Sequence, residues 1–332
     1  MRRLGDIVAN MKTMVGVVAA ALLTLVLSVA PMAAQSWPQR TVKFILPLGP
    51  GSGADIGARL IAEKLAARWG QPVVVENRPG GDGIVAINAF VSAHDDHVLL
   101  LSPSSAFIAH PYMYDKLSYD PRDLSPVARI SSTVISISVP PSLGVNSLKE
   151  LFATVRAQPG TLNWASTTGA TDLIVQSFVK KSGLDIIRVP YRNPVEALTD
   201  TVNGRVHLYW AAHAIVQAQA QAGNVKVIAI ANSEPTSLLP GVPTVTQAGY
   251  PDLTLDGLIG IFGPRDMPQP LRERIAADVK TALDDSSIHS RLTATAQVVV
   301  PGSAAEFAAS IDKQRAGLVE VARVLGIKSA TQ

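Results

Sequence analysis

Thr41-Val-Lys-Phe-Ile-Leu-Pro-Leu-Gly-Pro-Gly-Ser-Gly-Ala-Asp55 decides how this chain is read. Val42 to Leu46 is a short apolar run of the kind that forms a buried strand. Pro47 ends it, and Gly49, Gly51 and Gly53 carry the backbone through a turn. Asp55 stands where a helix N-cap is expected, ahead of the helical stretch Ile56–Trp69. Such a turn leaves backbone N–H groups unpaired at the positive end of a helix dipole, which suits an anion. It is not a P-loop, because Ala54-Asp55 follows Gly53 where Lys-Ser/Thr is required. Nor is it a dinucleotide fingerprint, whose third glycine would fall on Ile56. Taken alone, the turn reads equally well as a plain connector.

Arg2, Arg3 and Lys12 accompany an almost wholly apolar stretch from Met14 to Ala30, and Ala34-Gln-Ser36 looks like a cleavage site. Residues 1–36 therefore read as an export signal, cut near Ser36, that directs the protein to the periplasm. A retained anchor is the alternative, because the apolar stretch is long. The prompt start of the first strand after Trp37-Pro38 favours cleavage. Without Arg2, Arg3, Lys12 and Asp6, the 29 basic and 26 acidic residues become 26 and 25, near +1. A balance this even leaves no footprint for nucleic acid or anionic lipid. There is no cysteine, which excludes a lipoprotein anchor, disulfides and thiolate metal sites. Removing 36 of the 332 residues leaves 296, more than one core usually holds, so two domains are expected.

Short β-rich runs alternate with amphipathic helices, which predicts an α/β protein with mostly parallel sheets. Val73–Glu76, Val98–Leu101, Ile186–Val189, Val206–Trp210 and Val225–Ile230 read as strands, and Ile84–Ala93 as a helix. Ser147-Leu-Lys-Glu150 and Ser303-Ala-Ala-Glu306 are capping boxes. Val127–Val139 and Leu255–Phe262 read as crossovers between lobes. If both join the same pair, residues 37–137 with 258–332 form one domain and 138–257 the other. The cleft between them can then close on a ligand. Two strands within one sheet is the competing reading.

Signals for catalysis are weak. The histidines at 94, 97, 110, 207, 213 and 289 show no metal-binding spacing, there is no G-x-S-x-G, and Ser177-Phe-Val-Lys180 lies inside a helical pattern. No enzyme, cofactor or metal is expected. Signals for binding are stronger, because four polar turns follow strands in succession. The first holds Leu48, Gly49, Gly51, Ser52, Gly53 and Asp55, and the second holds Ser166, Thr167, Thr168, Gly169 and Asp172. Ser104 and Ser105 follow Val98–Leu101, and Tyr191 and Arg192 follow Ile186–Val189. Ligands of open α/β sheets bind outside the carboxyl ends of the strands, where all four would lie. A small anionic ligand is expected there.

At these residues the chain resembles the periplasmic receptors of tripartite tricarboxylate transporters, the TctC-like or Bug family. The likeness is carried by Trp37-Pro38 before Val42–Pro47, by Gly51-Ser-Gly-Ala-Asp55 with Ala58-Arg59, and by Gly70-Gln-Pro-Val-Val-Val-Glu-Asn-Arg-Pro-Gly80. Lys116-Leu-Ser-Tyr-Asp-Pro121, Val189-Pro-Tyr191, Ala197-Leu-Thr-Asp200 and Leu239-Pro-Gly-Val-Pro-Thr244 continue it. The resemblance implies a two-domain, type II periplasmic-binding-protein-like Venus flytrap with two hinge crossovers. It also implies capture of a small organic carboxylate between the first and second turns, through backbone N–H groups, hydroxyls and bridging waters. A monomer that hands its ligand to membrane permease subunits follows, and a sensor feeding a two-component system uses the same closed-cleft signal. A hydrolase or transferase would need a nucleophile–base motif that the chain lacks. Two places depart from the family pattern. Thr167–Asp172 replaces a Gly-Asn-Gly loop followed by histidine, and Trp210-Ala-Ala-His213 replaces a run ending in aspartate. Asp172 would repel a second carboxylate on the ligand, whereas His213 or Arg192 would attract one.

Overall fold

The computed structural model describes residues 37–330, so the expected export signal lies outside the described residues. Residues 40–330 form one compact unit, and both sheets belong to it. Among the described residues no helix is long and apolar enough to cross a membrane.

The first sheet contains β1 (Val42–Leu46), β2 (Val73–Asn77), β3 (Val98–Pro103), β4 (Ser125–Thr133), β10 (Gly257–Gly263) and β11 (Gln297–Gly302), in the order β11-β4-β10-β3-β1-β2. The second contains β5 (Ile135–Val139), β6 (Asn163–Ser166), β7 (Ile187–Arg188), β8 (Leu208–Ala212) and β9 (Lys226–Ile230), in the order β7-β6-β8-β5-β9. Each sheet is mixed rather than mostly parallel. β1 runs parallel to β2 and β3, but β10 is antiparallel to both β3 and β4. β6 runs parallel to β7 and β8, but β5 is antiparallel to β8 and β9. Of the reversed strands, β10 and β5 receive the chain from the other sheet, and β11, antiparallel to β4, lies at the edge of the first.

Helices cover the sheets: α1 (Gly53–Trp69), α2 (Ile84–Val91), α3 (Ser104–Met113), α4 (Leu148–Ala157), α5 (Ala170–Ser182), α6 (Pro194–Val202), α7 (His213–Gln221), α8 (Gln269–Leu283), α9 (Ser286–Ala294) and α10 (Ala304–Leu325). Their ends follow local chemistry. In α10 the Glu306 amide donates to Ser303 Oγ at 3.2 Å and the Ser303 amide to Glu306 Oε2 at 2.8 Å, closing the capping box. The box at Ser147 is only half formed. Ser147 Oγ accepts from the Glu150 amide, but the Glu150 carboxylate accepts from the amide of Asn146 instead. The N-cap of α1 is Ser52 and not Asp55: its Oγ accepts from the Asp55 amide at 3.3 Å. β8 starts two residues later than expected, because the amides of Arg205 and Val206 are held in a turn by the Asp200 carbonyl.

β10 is buried along its whole length, with α3 packed on it and α10 packed on its neighbour β4. A side chain at Gly260 would put Cβ 2.4 Å from the Phe307 ring, so glycine is what lets helix and strand touch. Phe262 then stacks between Phe107 and Phe307, with ring centroids 5.0 and 5.1 Å away.

The long apolar run Val127–Val139 proves to be two strands. It leaves the first sheet at Thr133 and enters the second at Ile135, with Val134 as the step between. The Val134 amide donates to the Ala296 carbonyl at 3.2 Å, and its own carbonyl accepts from the His213 amide at 2.7 Å. The return passage lies between Ile230 and Gly257, because Gly257–Phe262 is already part of the first sheet. Asn232 ties the two passages together. Its Oδ1 accepts from the Ile135 amide at 2.8 Å, and its Nδ2 donates to the Thr133 carbonyl at 3.0 Å. Asn232→Ala leaves the buried Ile135 amide without an acceptor. A loss of roughly 1–3 kcal/mol in unfolding free energy is expected by urea titration.

Candidate functional site

β1 ends at Leu46, and the first turn runs from Pro47 to Ser52 before α1 begins. Gly51 has φ +81°, a left-handed conformation that other residues adopt at a cost. Asp55 lies beneath the turn and is only 3% exposed. Its Oδ2 accepts from the Gly51 amide at 2.9 Å and from Arg59 Nε at 3.2 Å, and its Oδ1 accepts from Asn77 Nδ2 at 2.8 Å. Asn77 Nδ2 also donates to the Leu48 carbonyl at 2.9 Å, and Arg59 Nη2 donates to Asn77 Oδ1 at 2.8 Å. All of these partners belong to the protein, so Asp55 shapes the turn from within. With the Asp55 amide on Ser52 Oγ and the Ile56 amide on the Ser52 carbonyl, the amides of Gly53 and Ala54 are left without an intrahelical acceptor. Behind them, a Cβ on Gly53 would fall 2.9 Å from Gln297 and 3.0 Å from Thr295, so only glycine fits.

The second turn joins β6 to α5 across Thr167, Thr168 and Gly169. The Thr167 amide donates to the Trp210 carbonyl at 3.0 Å, which pins the turn to β8. Gly169 has φ +91°, and a Cβ there would lie 3.5 Å from the Ser105 carbonyl oxygen. This turn therefore abuts the start of α3, and Ser105 and Gly169 come together. Ser104 is fully buried and its hydroxyl donates to Gln314 Oε1 of α10 at 3.2 Å.

Asp172 does not present a bare charge. Arg188 grips it with two hydrogen bonds, 2.9 Å from Nε and 2.8 Å from Nη2, while Ser166 Oγ and Gln176 Nε2 donate at 3.0 and 2.6 Å. Arg188 escaped the sequence reading because its contact spans sixteen residues and depends on β6 pairing with β7, Trp164 opposite Arg188. Asp82 escaped it too. It stands in the short 3-10 turn Gly81–Gly83, where a Cβ on Gly83 would lie 3.3 Å from Pro47. Its Oδ1 accepts from Thr168 Oγ1 at 3.3 Å and its Oδ2 from the Tyr114 hydroxyl at 2.9 Å. Burial, with the Asp82 bond second, pushes the Tyr114 hydroxyl up to about 12. The one signal available in sequence was the glycine-rich run Gly80–Gly83 around an aspartate.

Among the described residues, no hydrogen bond links the side chains of Tyr191, Arg192 or His213 to either turn. The Tyr191 hydroxyl donates to Asp200 Oδ2 at 2.6 Å, and burial followed by that bond raises its pKa to about 12. Arg192 is exposed on the same connection. His213 is buried at the start of α7, where burial lowers its pKa, and its Nδ1 has no partner among the described residues. It lines a cavity of about 530 Å³ with Gln217, Lys226, Leu238 and Ala296. A separate cavity, also of about 530 Å³, is bounded by Val134, Asn232, Asp256 and Gln314 and shares no residue with either turn. Two of its charged groups are already paired: Asp256 accepts from Ser233, and Arg129 donates to the Val300 carbonyl and to Ser310. Asp95, Asp96 and His97 bring ligand atoms within 4.8 Å of one another, yet Asp95 is salt-bridged to Arg40 at 2.7 Å.

Residues 57–324 match the model of the tripartite tricarboxylate transporter family receptor. The chain belongs to this family. The match takes in the second turn and begins just past the first. Protein BugT of Bordetella pertussis is 28% identical over 298 residues, covering 87% of this chain and 91% of BugT. Among solved structures, the R. palustris protein Rpa4515 with adipate is 27% identical and superposes with TM-score 0.75, covering 88% of this chain and 99% of its own. MatC from Rhodopseudomonas palustris with bound malate is 28% identical with TM-score 0.65, covering 87% of this chain and 97% of its own. The fold is thus the two-lobed α/β arrangement of periplasmic binding proteins expected from sequence, and the family is one of solute receptors rather than enzymes.

Asp55 contributes to the acid limb of stability. Burial by itself raises its pKa, but Arg59, the Gly51 amide and Asn77 outweigh burial and hold it below the ordinary carboxylate value. The folded state therefore binds the proton less readily than the unfolded chain. This stabilisation is complete above an unfolded value of about 4 and is lost as pH falls through the lower folded value. Asp55→Asn should cost roughly 1–3 kcal/mol at pH 7 and flatten the fall in stability below pH 4, measured by urea unfolding across pH.

Proposed function

We propose that this chain is an extracytoplasmic receptor, exported by its N-terminal segment and monomeric. It captures a small organic carboxylate between domain 1 (37–137 with 258–332) and domain 2 (138–257), and hands it to the membrane subunits of a tripartite tricarboxylate-type transporter. The observation that supports this reading is that the second turn reaches Asp82, whose neighbour Gly83 packs against Pro47 at the head of the first turn. The Gly53 and Ala54 amides open α1, and the Ala170 and Thr171 amides open α5 behind Gly169. Thr168 Oγ1 donates to Asp82 Oδ1 at 3.3 Å, which supports a cleft shared by the two turns.

Amides at helix N-termini hold a carboxylate without transforming it. Ser52, Thr167 and Thr168 add hydroxyls, and Leu48, Gly49 and Gly51 supply the backbone of the first wall. The capture of malate by MatC and the adipate held by Rpa4515 support a small carboxylate as the ligand class. A ligand that touches both turns binds the closed arrangement better than the open one, so occupancy shifts the population toward closure. A docking partner in the membrane then reads the closed shape.

Mass spectrometry of small molecules released on denaturation, followed by a melting-temperature panel of mono-, di- and tricarboxylates, tests the reading. A true ligand at a hundred times its Kd should add about 2.7 kcal/mol of stability, which raises Tm by several degrees. Gly169→Val should abolish that rise, because the position has φ +91° and its Cβ meets the Ser105 carbonyl at 3.5 Å. A panel in which no carboxylate moves Tm would refute carboxylate capture.

A further inference from the structure

Three aspartates surround the paired turns, and they are not electrically alike. Asp55 is answered by Arg59, which approaches its Oδ1 to 3.0 Å, and Asp172 is answered by Arg188 at 2.8 Å. Among the described residues, Asp82 has no salt bridge; the groups that reach its carboxylate are the neutral hydroxyls of Thr168 and Tyr114. His110 places Nε2 3.2 Å from the Asp82 carbonyl oxygen, but burial lowers the pKa of that imidazole and keeps it neutral at pH 7. A carboxylate offers about four acceptor sites, and two remain for a visitor.

The position of Asp82 is as telling as its charge. Its neighbour Gly83 packs against Pro47 at the head of the first turn, and its own side chain meets Thr168 in the second. The backbone goes to some lengths to put it there. Gly80, Gly81, Asp82 and Gly83 all have positive φ, at 126°, 56°, 53° and 97°, and Asp82 is the one member with a side chain. A left-handed aspartate is conformationally costly, and such costs persist where the side chain is needed.

An unneutralised carboxylate at this point repels a plain dicarboxylate held by the two turns, at a range well inside the Debye length of about 8 Å. It attracts an acid that brings its own cation. We propose that Asp82 is a specificity-determining residue, and that the acid held between the turns carries an ammonium group beside its carboxylate. This rests on the carboxylate-capture reading and narrows it. The amides of α1 and α5 take the carboxylate, and Asp82 takes the ammonium in a charge-assisted hydrogen bond. Closure is then favoured twice, because the carboxylate is held by amides from both lobes and the ammonium adds a bond to Asp82.

Paired probes that differ only by an ammonium group test this: L-aspartate against succinate, and L-glutamate against glutarate, by calorimetric titration. The wild type should favour the ammonium-bearing member of at least one pair by about tenfold or more in Kd. Asp82→Asn, which preserves shape and acceptor oxygen, should erase or invert that preference. Thr168→Val keeps the charge and should weaken both members of a pair equally, leaving the preference intact. Tighter binding of the plain acids by the wild type, or a preference that survives in Asp82→Asn, overturns the assignment of Asp82 while leaving carboxylate capture standing. Absence of binding by all four acids, alongside a panel in which no carboxylate moves Tm, removes both.

Discussion

One buried carboxylate organises the first turn. Asp55 pulls the Gly51 amide inward, and through Asn77 it also fixes the Leu48 carbonyl. With the Gly51 amide held by Asp55 and the Leu48 carbonyl by Asn77, Gly53 and Ala54 are left as the amides of α1 without an acceptor inside the helix. Those donors are useful only if they are pre-aligned, since an amide that must reorient on binding gives back part of its interaction energy. Asp55 thereby does for geometry what a lysine does for charge in a phosphate loop.

Electrostatic economy at the second turn works by cancellation. Asp172 lies in the first turn of α5, where an acid suits the helix dipole but would oppose an anionic visitor. Arg188 meets it with a fork of two hydrogen bonds and restores a locally neutral wall. The repulsion expected from Asp172 is therefore largely spent before a ligand arrives. His213 and Arg192, the cations expected to attract a second carboxylate, do not join the paired turns. One is buried and neutral along α7, and the other is exposed beyond β7.

Much of the fold was legible because its signals are local. Val42–Leu46, the glycine turn and the Ser303–Glu306 box are each contained within a few residues, and each appears where the sequence places it. The strand run Val127–Val139 announced a crossover by its length alone. What local pattern did not show was which strands run backward, because β10 and β11 reach β4 from far along the chain. The site divides in the same way. Both turns could be read from glycine and hydroxyl content, whereas the roles of Arg188, Asn77 and Asp82 depend on partners sixteen to eighty-six residues away. The shift of the α1 cap from Asp55 to Ser52 is instructive, since either side chain can cap. The aspartate is withdrawn from capping by the inward bonds that bury it.

The placement of β4 has a consequence for how the chain is made. Its two sheet neighbours, β10 and β11, begin at Gly257 and Gln297, whereas β4 itself ends at Thr133. During synthesis or threading through a membrane, the second sheet, contained within residues 135–230, has all its strands in hand long before the first does. Until then β4 exposes two unpaired edges, the kind of surface that recruits stray strands. The nascent protein thus has one sheet with every strand made and another still waiting for two of its own, and its last stretch acts as a clasp sewn in after the cloth is cut. A chain broken short of Gly257 would leave β4 open to whatever strand meets it first.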